Sequence, residues 1–170
     1  MRTHEIMKND KLTKAVIFKT LVNIYHKLSF TNNYIMAFIY SGIVYMVIID
    51  SSQWTGVKLD KASRGAGYSI RFKPNKAEKI QLMSYGAEVL CSEEYFNELV
   101  KNSKYNKGEI IEKLITEYYG QEWEKDNVPF TDDGDLTVDG IAYQIKFEKA
   151  TFINEKQMMK MKAEGKQPSA

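Results

Sequence analysis

The stretch Lys107–Phe152 decides the reading of this chain: KGEIIEKLITEYYG (107–120), QEWEKDNVPFTDDGDLTVDG (121–140) and IAYQIKFEKATF (141–152). Its pattern predicts a helix carrying acids, a polar turn, a strand from about Asp135, a tight turn at Asp139-Gly140, and a second strand holding Gln144-Ile145-Lys146. Alternation along a strand places Gln144 and Lys146 on one face, with Ile145 and Phe147 on the other. A hairpin over Asp135–Lys146 therefore gathers a carboxylate, an amide and an ammonium at one sheet edge. That set suits a divalent cation held beside a phosphate.

The preceding helix, expected over Gly108–Tyr119, puts Ile110, Ile111, Leu114, Ile115 and Tyr118 on one side. Glu109 points away from that side and Glu112 lies at its margin, so Glu112 is the acid better placed to reach a neighbouring sheet. Glu109 and Lys113 stand at the spacing of a helical ion pair.

Composition sets the frame. The chain has 170 residues, 44% hydrophobic and 27% charged, enough for one good core or a smaller core with an appended module. A single cysteine, Cys91, excludes an internal disulfide framework and suits a reducing compartment. The polar opening with Arg2, His4 and Glu5 has no apolar run behind it and does not read as a secretory signal. Tyr34–Ile49 is apolar but only 16 residues long and is interrupted by Ser41-Gly42, against the roughly 20 residues a spanning helix needs. It reads as two strands, about Tyr34–Tyr40 and Ile43–Asp50, and no membrane segment is expected.

The net charge of +2 hides an asymmetry: residues up to Cys91 carry +7, and those from Ser92 onward carry −5. A module boundary is expected near Cys91, where the sign changes. Ahead of it, Asp10 is the expected cap of a helix from Lys11 to Leu28; His26 within it and His4 have no metal-ligand companions. Seven basic residues fall between Lys58 and Lys79, opposed only by Asp60 and Glu78. Tyr68–Lys73 alternates as a strand with Arg71 and Lys73 on one face, while Gly65 and Gly67 beside Arg64 leave room for backbone to approach a phosphate. Arg64, Arg71, Lys73 and Lys76 are the candidate nucleic-acid contacts; a solvated basic strand edge is the alternative. A short helix after Pro74, a buried strand at Ala87–Cys91 and a helix capped by Ser92 complete the expected elements.

In context, KGEIIE (107–112), VPFTDDGD (128–135) and VDGIAYQIKFEKATF (138–152) resemble the PD-(D/E)XK nuclease superfamily, and within it small phage and prophage proteins with a Gln-x-Lys strand. The resemblance covers roughly Ser92–Lys160. It implies that Asp135 is the metal-binding aspartate, Lys146 the lysine of the motif and Glu112 the helix acid completing metal coordination, with Glu109 its substitute. Gln144 stands where the family usually has Asp or Glu and would offer an amide oxygen; Glu148, on the same face, could supply a carboxylate from a shifted position. The implied cofactor is Mg²⁺ or Mn²⁺, and the implied activity is hydrolysis of DNA phosphodiester bonds.

The expected fold is thus α/β, α+β overall: a basic N-terminal α+β module with a β-hairpin (1–91), a restriction-endonuclease-like core (92–160) and a polar tail (161–170). The expected function is that of a metal-dependent DNA endonuclease, cytoplasmic and phage-related, with a homodimer natural for cutting both strands. The alternative is a catalytically silent nuclease-fold protein, such as a phage-encoded inhibitor or DNA mimic whose acidic half meets a host nucleic-acid-binding protein. A basic DNA-binding module with a decayed nuclease remnant is a third.

Overall fold

Ser41 and Gly42 turn the chain with φ of +49° and +76°, the left-handed pair that matches the twist of a tight hairpin. They join β1 (Asn33–Tyr40) to β2 (Ile43–Asp50), which pair in antiparallel register from Asn33↔Asp50 to Tyr40↔Ile43. The computed structural model describes residues 2–28, 31–61, 67–124 and 135–163. The remaining elements are α1 (Arg2–Leu28), β3 (Val57–Lys61), β4 (Tyr68–Phe72), α2 (Lys76–Ser84), β5 (Glu88–Ser92), α3 (Glu93–Lys101), α4 (Lys107–Tyr118), β6 (Leu136–Val138), β7 (Ile141–Phe147), β8 (Thr151–Asn154) and α5 (Glu155–Ala163). The chain is a mixed α and β protein, and no helix among the described residues is long and apolar enough to cross a membrane.

Two units form, and their boundary is not at Cys91. One holds the described residues within 1–29, 57–71 and 151–170; the other holds those within 30–56 and 72–150. The reason is strand pairing. In the larger unit the sheet runs β5-β2-β1-β7-β6, so the hairpin expected in an N-terminal module lies in the middle of the sheet that carries Gln144 and Lys146. β1 and β7 pair in parallel, Tyr34↔Gln144 through Ala37↔Phe147. The charge change at Cys91 falls inside β5, which pairs with β2, and marks no structural break.

Cross-strand partners share a face. Ile35, Ala37, Val44, Met46, Leu136 and Ile145 form one buried cluster with Phe96 of α3 and Ile110, Ile111 and Ile115 of α4. Each such side chain contributes about 1.5–3 kcal/mol by leaving water. Tyr34, Met36 and Phe38 belong to the opposite face of β1 and are also fully buried, so β1 is a central strand covered on both sides. The strand expected to be buried at Ala87–Cys91 is an edge: in β5, Val89 is 55% exposed.

The smaller unit has the sheet β3-β4-β8, with α1 and α5 packing on β8. β3 and β8 were not foreseen in the basic and C-terminal segments. Helix α1 runs from Arg2, so Asp10 lies inside the helix and does not begin it. Tyr25 of α1 meets Phe152 of β8 edge to face at 5.0 Å. Reciprocal bonds between Asn154 and Gln157 (2.8 and 3.1 Å) start α5, which extends through Ala163, three residues into the expected tail.

Candidate functional site

Helix α4 is positioned by a reciprocal cap. Asn106 Oδ1 accepts the Glu109 N–H at 2.9 Å, and Glu109 Oε1 accepts the Asn106 N–H at 3.3 Å. Glu109 is therefore occupied at the helix start. The expected Glu109–Lys113 pair is replaced by Lys113–Glu117 at 2.7 Å. Tyr118, expected on the buried side, is 47% exposed and donates its hydroxyl to Glu88. Glu112, one turn along, is half-buried, takes no part in the cap and lines the same cleft as Glu109.

Strand β7 brings the other groups. Asp139 (φ +51°) and Gly140 (φ +80°) form the tight turn the sequence predicts, and β6 pairs with β7 from Leu136↔Tyr143 to Val138↔Ile141. Asp135 stands just before β6. Its N–H donates to the Tyr143 carbonyl at 2.9 Å, and its Oδ2 accepts the Ile145 N–H at 2.9 Å. The aspartate thus brackets Gln144 from the neighbouring chain segment. Gln144 and Lys146 pair with Tyr34 and Met36 and share their face.

Lys146 is the electrostatic centre. Burial pulls its ammonium below the ordinary lysine value, and the nearby Asp135 carboxylate partly opposes that fall. A lysine desolvated in this way gives up a proton more readily than a surface lysine and can take part in proton transfer.

Lys146 and Glu112 line one cleft of about 660 Å³, together with Ile39, Asn106–Glu109, Ile145 and Phe147–Ala150. Glu112 comes from α4, which packs on the Ile145 face of β7, while Lys146 leaves the other face; both line the cleft at the end of the strand. Asp135 and Gln144 are not among the lining residues and join the site through Lys146 and the β7 backbone.

Among the described residues no three His, Cys, Asp or Glu side chains gather to hold a metal ion. The oxygens the sequence points to are Asp135, Glu112 and the Gln144 amide, a hard-donor set with two carboxylates. Of these, Asp135 already accepts the Ile145 N–H through Oδ2. Asp132 and Asp133 lie outside the described residues. One oxygen of Glu148, the expected spare carboxylate, is already engaged: its Oε1 accepts the Ile39 N–H at 2.5 Å and pairs with Lys79 Nζ at 2.9 Å.

The candidate nucleic-acid contacts fall in different parts of the chain. Arg64 lies outside the described residues. Arg71 is in the smaller unit and pairs with Asp60 at 3.1 Å. Lys73 and Lys76 are exposed in the larger unit. Sequence reasoning missed Lys79 and Lys149. Lys79 is the last of the basic run in sequence, whereas in the fold it reaches the end of β1; Lys149, with φ +69°, sits on the cleft rim.

Comparison with protein-family models, with curated proteins and with solved structures gives no match. The class that can be stated is a mixed α and β protein with an acid–lysine cleft at the end of a parallel strand pair.

Proposed function

We propose that this chain is a metal-dependent nuclease of the PD-(D/E)XK type that hydrolyses phosphodiester bonds in DNA. The observation that carries the reading is Lys146: a desolvated lysine beside the Asp135 carboxylate, in a cleft shared with Glu112. Asp135, Glu112 and the Gln144 amide would hold Mg²⁺ or Mn²⁺. Such an ion neutralises phosphate charge and makes a bound water more acidic. Lys146 orients the attacking water or takes its proton, since the fall in its proton affinity on burial raises the fraction of neutral amine. Lys107 and Lys149 on the rim suit a polyanionic substrate. A homodimer would provide a second site for the second strand.

Incubation of supercoiled plasmid and of single-stranded DNA with Mg²⁺ or Mn²⁺ tests this. Wild type should nick, and Asp135→Ala, Glu112→Gln and Lys146→Ala should each abolish nicking while the protein stays folded. Folded wild-type protein that never cuts overturns it.

A second reading, a catalytically silent nuclease-fold protein that binds a host partner, is favoured by the absence of a third acidic or histidine ligand among the described residues and by Gln144. It predicts partner binding that ignores Asp135→Ala and Lys146→Ala.

A further inference from the structure

Strand β7 stops one step too early for its neighbour. Its last pairing with β1 is Ala37↔Phe147, yet β1 continues to Tyr40. The next backbone groups of β1 on that side need partners, because unpaired peptide groups in a half-buried place are costly. Two side chains supply them. Glu148 Oε1 accepts the Ile39 N–H at 2.5 Å, and Lys79 Nζ donates to the Ile39 carbonyl at 2.7 Å. The two side chains also pair with each other at 2.9 Å, with 18% and 19% of their surfaces exposed. The backbone N–H and C=O of one residue, Ile39, are held by one ion pair.

That bridge is in the cleft wall. Ile39 and Glu148 both line the cleft, and Glu148 is two residues beyond Lys146 on the same strand end. The chain turns sharply just after it: Lys149 is left-handed at φ +69°, its N–H donates to the Phe72 carbonyl at 2.6 Å, and the Ala150 N–H donates to the Phe147 carbonyl at 2.9 Å. Lys146 thus sits near a strand end that Glu148 ties to Ile39 of β1.

We propose that Glu148, braced by Lys79, is a positioning residue for Lys146: it fixes the end of β7 against β1 and so sets where the lysine stands in the cleft. This rests on the reading of Lys146 as the reactive lysine. Glu148 touches neither substrate nor cation in this role.

The test uses the full-length chain with Glu148→Ala, Glu148→Gln and Lys79→Met. The amide oxygen of Glu148→Gln still accepts the Ile39 N–H, and Lys79→Met leaves that bond intact while removing the ion pair. In Mn²⁺-dependent cleavage, kcat of Glu148→Ala should fall about tenfold to a hundredfold, as small misplacements do, with KM little changed. Glu148→Gln should recover most of the loss and Lys79→Met should fall between. Equal kcat in all three and wild type overturns the proposal, as does a loss in Glu148→Ala carried wholly by KM.

The ¹³Cε NMR signal of Lys146 at one fixed pH, assigned by its disappearance in Lys146→Arg, gives a readout that needs no cleavage. It should move in Glu148→Ala and return toward wild type in Glu148→Gln. An unmoved signal overturns the positioning role even if the enzyme cuts. A moved signal in a wild type that never cuts supports the positioning role and rejects the nuclease reading. Should Glu148→Ala fail to fold, Lys79→Met carries the same comparison, with an unmoved Lys146 signal counting against the proposal.

Discussion

The Asp135 carboxylate accepts the Ile145 N–H at 2.9 Å, so the residue that sequence reasoning assigns to a cation also closes the backbone ladder beside β7. The two roles can be separated. Asparagine keeps an oxygen for the Ile145 N–H but loses the charge; alanine loses both. Asp135→Ala should cost about 1–3 kcal/mol of stability, the range for leaving such a donor unsatisfied, and Asp135→Asn clearly less. Under the nuclease reading both should stop cleavage. Urea unfolding beside a plasmid assay checks this; Asp135→Asn that cuts normally would remove Asp135 from the site.

Lys146 sets a pH dependence whose sign follows from its environment. Burial lowers its proton affinity in the folded chain, with Asp135 pulling the other way. Between that lowered value and the ordinary lysine value of about 10.4, the unfolded chain holds a proton that the native one has released. The contribution of Lys146 to stability therefore rises with pH across this window, and the cost of burying the ammonium is felt in full below it. Lys146→Met should stabilise the protein at neutral pH, and the gain should shrink as pH climbs toward the ordinary value. Asp135→Asn should lower the Lys146 value further. Denaturation at several pH values and an NMR titration of the lysine carbon measure the two effects, and a rise in Asp135→Asn would contradict the assignment.

Local pattern made both hairpins legible, because alternation and a turn dipeptide suffice: Ser41-Gly42 and Asp139-Gly140 stand where they were expected, each in the left-handed region. The start of α3 was legible for the same reason, Ser92 Oγ accepting the Tyr95 N–H at 3.1 Å. What stayed hidden was pairing at a distance. Nothing near Ile35 in sequence announces that it will lie beside Ile145, since parallel strands share no turn. For that reason the charge change at Cys91 suggests a boundary in the sequence, although the sheet crosses it. Of the candidate site, the hairpin placement of Asp135, Gln144 and Lys146 is legible from strand period and turn, whereas the bond from Ile39 to Glu148 and the bracing by Lys79 depend on where β7 ends relative to β1.

The start of α4 separates two acids that the sequence left as rivals. Both line the cleft, but Glu109 is held in the reciprocal cap with Asn106, whereas Glu112 takes no part in it. Asn106→Ala should cost about 1 kcal/mol, the usual value for a lost N-cap. Glu109→Gln retains an oxygen for the Asn106 N–H and should leave both stability and cleavage near wild type. Glu112→Gln should keep the fold and lose the activity. Thermal melts with the plasmid assay distinguish the two, and the opposite pattern, Glu109→Gln dead and Glu112→Gln active, would move the helix acid back by one turn.

Two glycines with nearly the same backbone angle should respond differently to alanine, because only one is crowded. Gly140 has φ +80° and open space where a Cβ would stand. Gly56 has φ +85°, but an added Cβ would lie 2.8 Å from Pro74 Cβ and 3.0 Å from Pro74 Cα. Its carbonyl also accepts the Lys73 N–H at 2.7 Å, so the two segments cannot separate without breaking that bond. Gly140→Ala should cost about 1–2 kcal/mol from the left-handed backbone alone. Gly56→Ala adds a clash against a rigid ring and should cost at least ~2 kcal/mol, with the strain of overpacking on top of the backbone term. Chemical denaturation of both variants gives the comparison. Equal losses would mean that the Gly56 turn relaxes around the added methyl group, and the close approach to Pro74 would then not be what requires glycine there.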